Sequence, residues 1–98
     1  MPDVKWLPEA VADLERLFQF LKEKNPQSAR RAAGAIRNGA DLLQSAPEIG
    51  RPMGDGTPRR ELVVPFASAG YVLRYRIDDE GAVVIIRIWH SREDRRAR

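Results

Sequence analysis

The chain has 98 residues, with 17 Lys and Arg against 14 Asp and Glu, one histidine and no cysteine. This length fits a single domain, and the lack of cysteine excludes disulfides, thiolate catalysis and cysteine-bound metals. The net charge of +3 and the pI near 9.8 favour an acidic partner. No segment approaches the ~20 apolar residues of a membrane span, so we expect a cytoplasmic protein without membrane association.

The first half of the chain predicts one strand and two helices. Residues 3–7 alternate weakly, as a short strand does, and Pro8 suits the first turn of a helix. Apolar residues then recur at spacings of three and four up to about Lys24, where Asn25-Pro26 breaks the pattern. A second helix with a stripe of small residues is expected over 27–45. Small residues permit close approach, so the two helices should form an antiparallel hairpin.

The second half predicts a sheet. Residues 46–58 carry three prolines and three glycines and are expected to be a loop, followed by a strand over 59–66. Two further strands, over 70–77 and 83–89, flank the turn Asp78–Gly81, where Gly81 can adopt positive φ. The order predicts an α+β domain over residues 1–98. An N-terminal strand and a three-stranded antiparallel unit complete a four-stranded sheet, with the helical hairpin on one face.

Alternation assigns the two faces of the last two strands. On the first of them Tyr71, Leu73, Tyr75 and Ile77 share one face, which we expect to join the core row. Ile86 lies in a row with Val84 and Ile88, and we expect it to be fully buried beneath the helices, with His90 continuing that row. The other, open face collects three arginines and a tryptophan that we expect to be exposed: Arg74, Arg76, Arg87 and Trp89. A solvated face of a half-buried hairpin is the simple interpretation. Three arginines beside an aromatic favour a surface that binds a target or a partner, and Arg92 extends it beyond the strand.

Several short motifs, in their order and spacing, resemble the RelE/ParE toxin superfamily over essentially the whole chain. The early ones are an N-terminal strand, Asp13-Leu14 and a second helix after Asn25-Pro26. The later ones are PEIGRP (47–52), REL (60–62), GYVLRYRI (70–77) and the closing IIRIWHSRED (85–94).

The resemblance implies the toxin of a bacterial type II toxin–antitoxin system of the plasmid-stabilisation type. Such toxins inhibit growth and are neutralised by a cognate antitoxin, which implies a toxin–antitoxin hetero-oligomer. ParE-like members bind DNA gyrase without a hydrolytic site, whereas RelE-like members cleave mRNA on the ribosome. A third possibility is a non-toxic α+β binding module on the same scaffold.

The residues favour the ParE-like branch. Cleaving relatives usually follow the corresponding histidine with a tyrosine or a dense basic cluster, but here Ser91 follows His90 and no lysine occurs after Lys24. We therefore favour no catalytic residue. If the chain were an endoribonuclease, His90, Arg92 and Arg60 would be its candidates. No metal-ligand cluster, phosphate-binding loop or cofactor motif is present in the sequence.

Overall fold

The computed structural model describes residues 3–93. Two helices lie on one face of a five-stranded sheet with the order β1-β5-β4-β3-β2. β1 pairs in parallel with β5, and the other neighbours are antiparallel. The elements are β1 (Val4–Trp6), α1 (Pro8–Lys24), α2 (Pro26–Ser45), β2 (Arg51–Pro52), β3 (Arg60–Phe66), β4 (Ala69–Ile77) and β5 (Val83–His90). The predicted α+β architecture is confirmed. The two-residue β2 lies within the segment expected to be a loop, and makes the sheet five-stranded.

The break between the helices is one residue long. Asn25 ends α1 and begins α2: its side-chain oxygen accepts hydrogen bonds from the amides of Gln27 and Ser28, each at 3.1 Å. This satisfies two amides that the first turn of a helix leaves without partners. Pro8 begins α1 behind Leu7, which provides no side-chain cap. Within residues 3–93, no helix is both long and apolar enough to cross a membrane.

The core fills the space between the helices and the inner face of the sheet, by which we mean the face they cover. The expected row on β4 is confirmed, because Tyr71, Leu73 and Tyr75 are all buried in this core. From the other elements the core receives apolar side chains that include Leu17, Ile36, Leu43, Val83, Ile85 and Ile88. Burial of this apolar surface is the main force that holds the layers together.

A β-bulge in β5 makes the predicted burial of Ile86 wrong. Arg74 of β4 pairs with Arg87, but the next residue, Tyr75, pairs with Ile85. Ile86 therefore has no residue opposite it, which is the defining feature of a bulge. It is only half-buried, whereas Ile85 is 0% exposed.

The bulge also changes which residues share a face. Before it, Val83 and Ile85 contribute to the core; after it, Ile88 does. Val84, which was expected in the buried row beneath the helices, lies on the opposite, outer face. Strict alternation cannot anticipate this exchange, because one extra residue reverses the direction of every side chain on one side of the bulge.

The outer face is not open at its centre, as had been expected. Trp89 is 0% exposed and Arg74 only 8% exposed, and Val72 and Val84 are buried as well. Exposure returns towards the β3 side, where Val63 is 60% exposed. The prediction of an exposed tryptophan is therefore wrong.

Tyr75 fixes the loop that follows α2. Its hydroxyl donates to the carbonyl oxygen of Pro47 and accepts from the amide of Gly50, both at 2.8 Å. A Cβ at position 50 would lie 2.5 Å from the Tyr75 ring, so only glycine fits this approach. Burial raises the pKa of Tyr75, which keeps the hydroxyl protonated as a donor.

Candidate partner-binding site

A groove of about 730 Å³ opens between α1, the β3–β4 turn and the end of β5. We call it the α1–β5 groove. Its lining is mostly apolar and includes Phe20, whose side chain is 59% exposed. An exposed aromatic side chain beside a concave apolar surface is typical of a binding site. The apolar lining includes Leu17, Phe20, Leu21, Phe66 and Tyr71, and the polar lining Arg16, Ser68, His90, Arg92 and Glu93.

Aromatic rings form the sheet side of the groove. The centroids of Phe66 and Tyr71 are 5.9 Å apart, and those of Tyr71 and His90 are 5.4 Å apart at an interplanar angle of 82°. The edge-to-face contact between Tyr71 and His90 is favourable and holds the imidazole against the tyrosine. His90 thus lies on the inner face beyond Ile88, as the sequence predicts.

The polar end of the groove is built by the turn after β5. The Nδ1 atom of His90 accepts a hydrogen bond of 3.2 Å from the backbone amide of Arg92. The guanidinium of Arg92 is exposed and lies 3.5 Å from the carbonyl oxygen of Ser68 across the groove. Arg92 makes no ion pair with any residue in 3–93.

Arg16 and Glu93 close one rim of the groove. The guanidinium of Arg16 contacts both carboxylate oxygens of Glu93, at 2.7 and 3.4 Å. A charge-assisted pair of this kind is directional. The hydrogen bond from Arg16 to Glu93 raises the pKa of Arg16. The charge of Arg16 is thus largely balanced, so among residues 3–93 Arg92 is the cation at this rim that a ligand meets.

Asp13 joins α1 to β5 beside this groove. Its buried carboxylate accepts from Nε and Nη2 of Arg87, at 2.8 and 3.0 Å, and from the amide of Ile88 at 2.8 Å. We call this arrangement the Asp13 clamp. Burial alone would raise the pKa of Asp13, but the hydrogen bonds from Arg87 and Ile88 outweigh it and leave the pKa below its ordinary value.

Arg74, another arginine of the predicted surface, is held within the domain. The guanidinium of Arg74 lies 4.8 Å from the centre of the Trp89 ring and pairs with Glu61 at 2.9 Å. Arg76 is half-buried. The structure thus separates Arg74, Arg76, Arg87 and Trp89, which the sequence had grouped, from Arg92.

Arg60 lies far from His90. The two residues pair with Tyr75 and Tyr71, four positions apart on β4, which corresponds to about 13 Å along the strand. The Arg60 side chain donates to the carbonyl oxygens of Glu48 and Gly50, at 3.0 and 2.8 Å. His90 and Arg92 are brought together, but Arg60 does not join them.

Sequence reasoning missed the α1 wall and the β3–β4 turn. Phe20 was the available signal, because it lies off the apolar stripe of α1 and so had no place in the predicted core. Ala67, with φ 54°, turns the chain between Phe66 and Ala69 without glycine, so no turn motif marked it. Across residues 3–93, no cluster of three or more acidic or histidine side chains is placed to hold a metal ion.

Known proteins that are similar to this chain in sequence or in fold include toxins and a toxin–antitoxin system. The family described as the ParE toxin of the type II toxin–antitoxin system parDE matches residues 4–95. Toxin RelE1 of Caulobacter vibrioides is 38% identical over 86 residues, covering 88% of this chain and 89% of that protein. Toxin RelE3 of the same organism is 40% identical over 95 residues, covering 97% and 100%. A solved chain of the chromosomal ParDE system from P. aeruginosa superposes with a TM-score of 0.76 at 24% identity, covering 92% of this chain and 96% of its own. The chain therefore belongs to the ParE toxin family of type II toxin–antitoxin systems, within the RelE/ParE superfamily.

Proposed function

We propose that this toxin inhibits growth in the cytoplasm by binding DNA gyrase, as a ParE-like protein without chemistry of its own. The observation that carries this proposal is the position of Arg60. Acid–base catalysis on RNA requires its groups within hydrogen-bond reach of one reacting centre. The candidate set His90, Arg92 and Arg60 does not converge, because Arg60 is held by the Glu48 and Gly50 carbonyls at the other end of the strands.

The family implies an antitoxin partner, and the α1–β5 groove is the candidate site at which the antitoxin would bind. Apolar walls and an exposed Phe20 suit the apolar face of an amphipathic segment. Lys24, stacked over Phe20 at 5.0 Å, and Arg92 make the borders basic. We therefore propose that an acidic, amphipathic antitoxin segment occupies this groove in a toxin–antitoxin hetero-oligomer.

A ribosome-dependent endoribonuclease is the second candidate. Two observations favour it: His90 and Arg92 are adjacent at the end of the groove, and the curated relatives are named RelE. An imidazole and a guanidinium together are able to protonate a leaving group and stabilise phosphate charge.

One paired assay separates the two candidates. The purified protein is tested for inhibition of gyrase supercoiling and, in parallel, for cleavage of mRNA on translating ribosomes. We expect inhibition in the first assay and no cleavage in the second. Ribosome-dependent cleavage with intact supercoiling would establish the endoribonuclease instead.

Growth tests address the partner and the third possibility. Expression of the chain alone should inhibit growth, and co-expression of the adjacent small open reading frame should relieve the inhibition. Benign high-level expression of folded protein without any partner would contradict the toxin assignment and favour a non-toxic binding module.

A further inference from the structure

We infer that the His90 end of the α1–β5 groove is a carboxylate-binding site, formed by the imidazole Nε2–H of His90 and the guanidinium of Arg92. Its ligand is an acidic side chain on the protein segment that fills the apolar part of the groove. The inference deepens the proposed function and rests on it for the identity of that segment, although binding of a carboxylate can be measured without it.

The first step is the protonation of the imidazole. A backbone amide only donates, so the 3.2 Å bond from the Arg92 amide requires that Nδ1 of His90 carry no proton. A neutral imidazole then holds its proton on Nε2. Because the ring lines the groove while Nδ1 faces the turn, the groove meets a hydrogen-bond donor.

The second step is the charge around this donor. Among residues 3–93, five titratable groups line the groove: Arg16 from α1, Tyr71 from β4, His90 at the end of β5, and Arg92 and Glu93 from the turn. Arg16 and Glu93 neutralise each other at 2.7 Å. Burial raises the pKa of Tyr71, so it stays uncharged. Of the groove-lining groups in the described part of the chain, Arg92 supplies the remaining charge, which is positive.

The third step is the class of ligand. A donor N–H beside a guanidinium suits a planar oxyanion with two acceptor oxygens, and a carboxylate meets that need. The adjoining walls of Leu17, Phe20 and Phe66 are apolar and offer little to a sugar–phosphate backbone. They favour an amphipathic protein segment, whose apolar residues would pack there while one acidic residue reaches the polar end.

The single histidine makes this inference directly testable by NMR, because its imidazole signals need no assignment. The full chain is studied at pH 7.5, where long-range 1H–15N correlations report the tautomer. We expect the proton on Nε2. Acetate is then titrated against sodium chloride at equal ionic strength, and we expect saturable shifts of the imidazole signals with acetate only.

Matched variants identify the second donor. Arg92→Gln should weaken acetate binding roughly threefold to tenfold, the range for an exposed charge-assisted bond. Arg92→Lys should lose less affinity for acetate than Arg92→Gln, because lysine keeps the positive charge. Arg30→Gln removes the same charge from an exposed position on α2, outside the groove lining, and should leave binding unchanged.

Each other outcome overturns the inference. The inferred site would be contradicted by a proton on Nδ1 of His90 or by the lack of a saturable shift with acetate. It would also be contradicted if Arg92→Gln and Arg30→Gln lost equal affinity for acetate. Tenfold tighter binding of dimethyl phosphate than of acetate would replace the carboxylate with a phosphodiester and favour a nucleic-acid ligand. None of these results depends on gyrase or growth, so failure of the proposed function is distinguishable from failure of this site.

Discussion

The Asp13 clamp and the polar end of the α1–β5 groove lie at the same end of β5 and each contain an arginine, yet the two arginines have different environments. Arg87 forms two hydrogen bonds with a buried carboxylate, whereas Arg92 is exposed and pairs with no acidic side chain in residues 3–93. The difference shows that arginines grouped by strand pattern do not share a function. A charge that satisfies a buried carboxylate supports the fold, and an exposed unmatched charge is available to a ligand.

Removal of the Asp13 carboxylate should have the largest effect on stability. Asp13→Ala leaves the Arg87 guanidinium and the Ile88 amide without their acceptor, and we expect a loss of about 3–5 kcal/mol in the free energy of unfolding. Asp13→Asn is the control: it keeps an acceptor for the amide and should lose less. Urea unfolding of the two variants and the parent measures both losses, and equal stability of all three would show that the clamp is not structural.

The clamp also predicts the direction of acid sensitivity. The folded state lowers the pKa of Asp13 below its ordinary value of 3.8. Its contribution is therefore fully present above the ordinary pKa and disappears as the pH falls through the lower, folded-state pKa. The free energy of unfolding, measured by urea unfolding at several pH values across this range, should fall more steeply with decreasing pH for the parent than for Asp13→Asn. Parallel curves for the two proteins would contradict the role assigned to this carboxylate.

The β-bulge should separate two neighbouring isoleucines. Ile85→Ala removes a fully buried side chain from the core, and we expect a loss of about 2–4 kcal/mol. Ile86→Ala changes the same atoms at a half-buried position and should cost about 1 kcal/mol. Thermal or urea unfolding distinguishes them. If Ile86→Ala lost more stability than Ile85→Ala, the result would contradict the bulge and support the strict alternation that the sequence predicted.

Substitutions in the groove should change function and leave the fold intact. Arg92→Gln should alter stability by less than about 0.5 kcal/mol, because the side chain is exposed, while it weakens antitoxin binding. His90→Gln should keep most of the growth inhibition, because a toxin that acts by binding needs no general acid or base at this position. If His90 were a general acid or base, its loss would reduce activity by about 10²–10⁴-fold. A folded His90→Gln protein without growth inhibition would therefore favour the endoribonuclease.

The sequence by itself determined the order of the elements other than β2, the break between the helices at Asn25-Pro26, which the structure narrows to Asn25, and the turn at Gly81, which takes φ 85° as expected. These features depend on local chemistry: a helix cap, a proline and a residue without Cβ. Local periodicity likewise placed Tyr71, Leu73 and Tyr75 in the core. Its resemblance to the toxin superfamily was confirmed by the family match over residues 4–95.

Only the tertiary structure decided which charged residues remain available. Arg87 and Asp13 are 74 positions apart, and Arg16 and Glu93 are 77 apart, so no local pattern reveals either pair. The bulge at Ile86 is equally hidden, because it arises from the pairing of two strands and not from the residues of one. The groove exists only where α1, the β3–β4 turn and the end of β5 meet. Its ligand-binding end therefore depends on long-range packing, which one sequence read along its length does not contain.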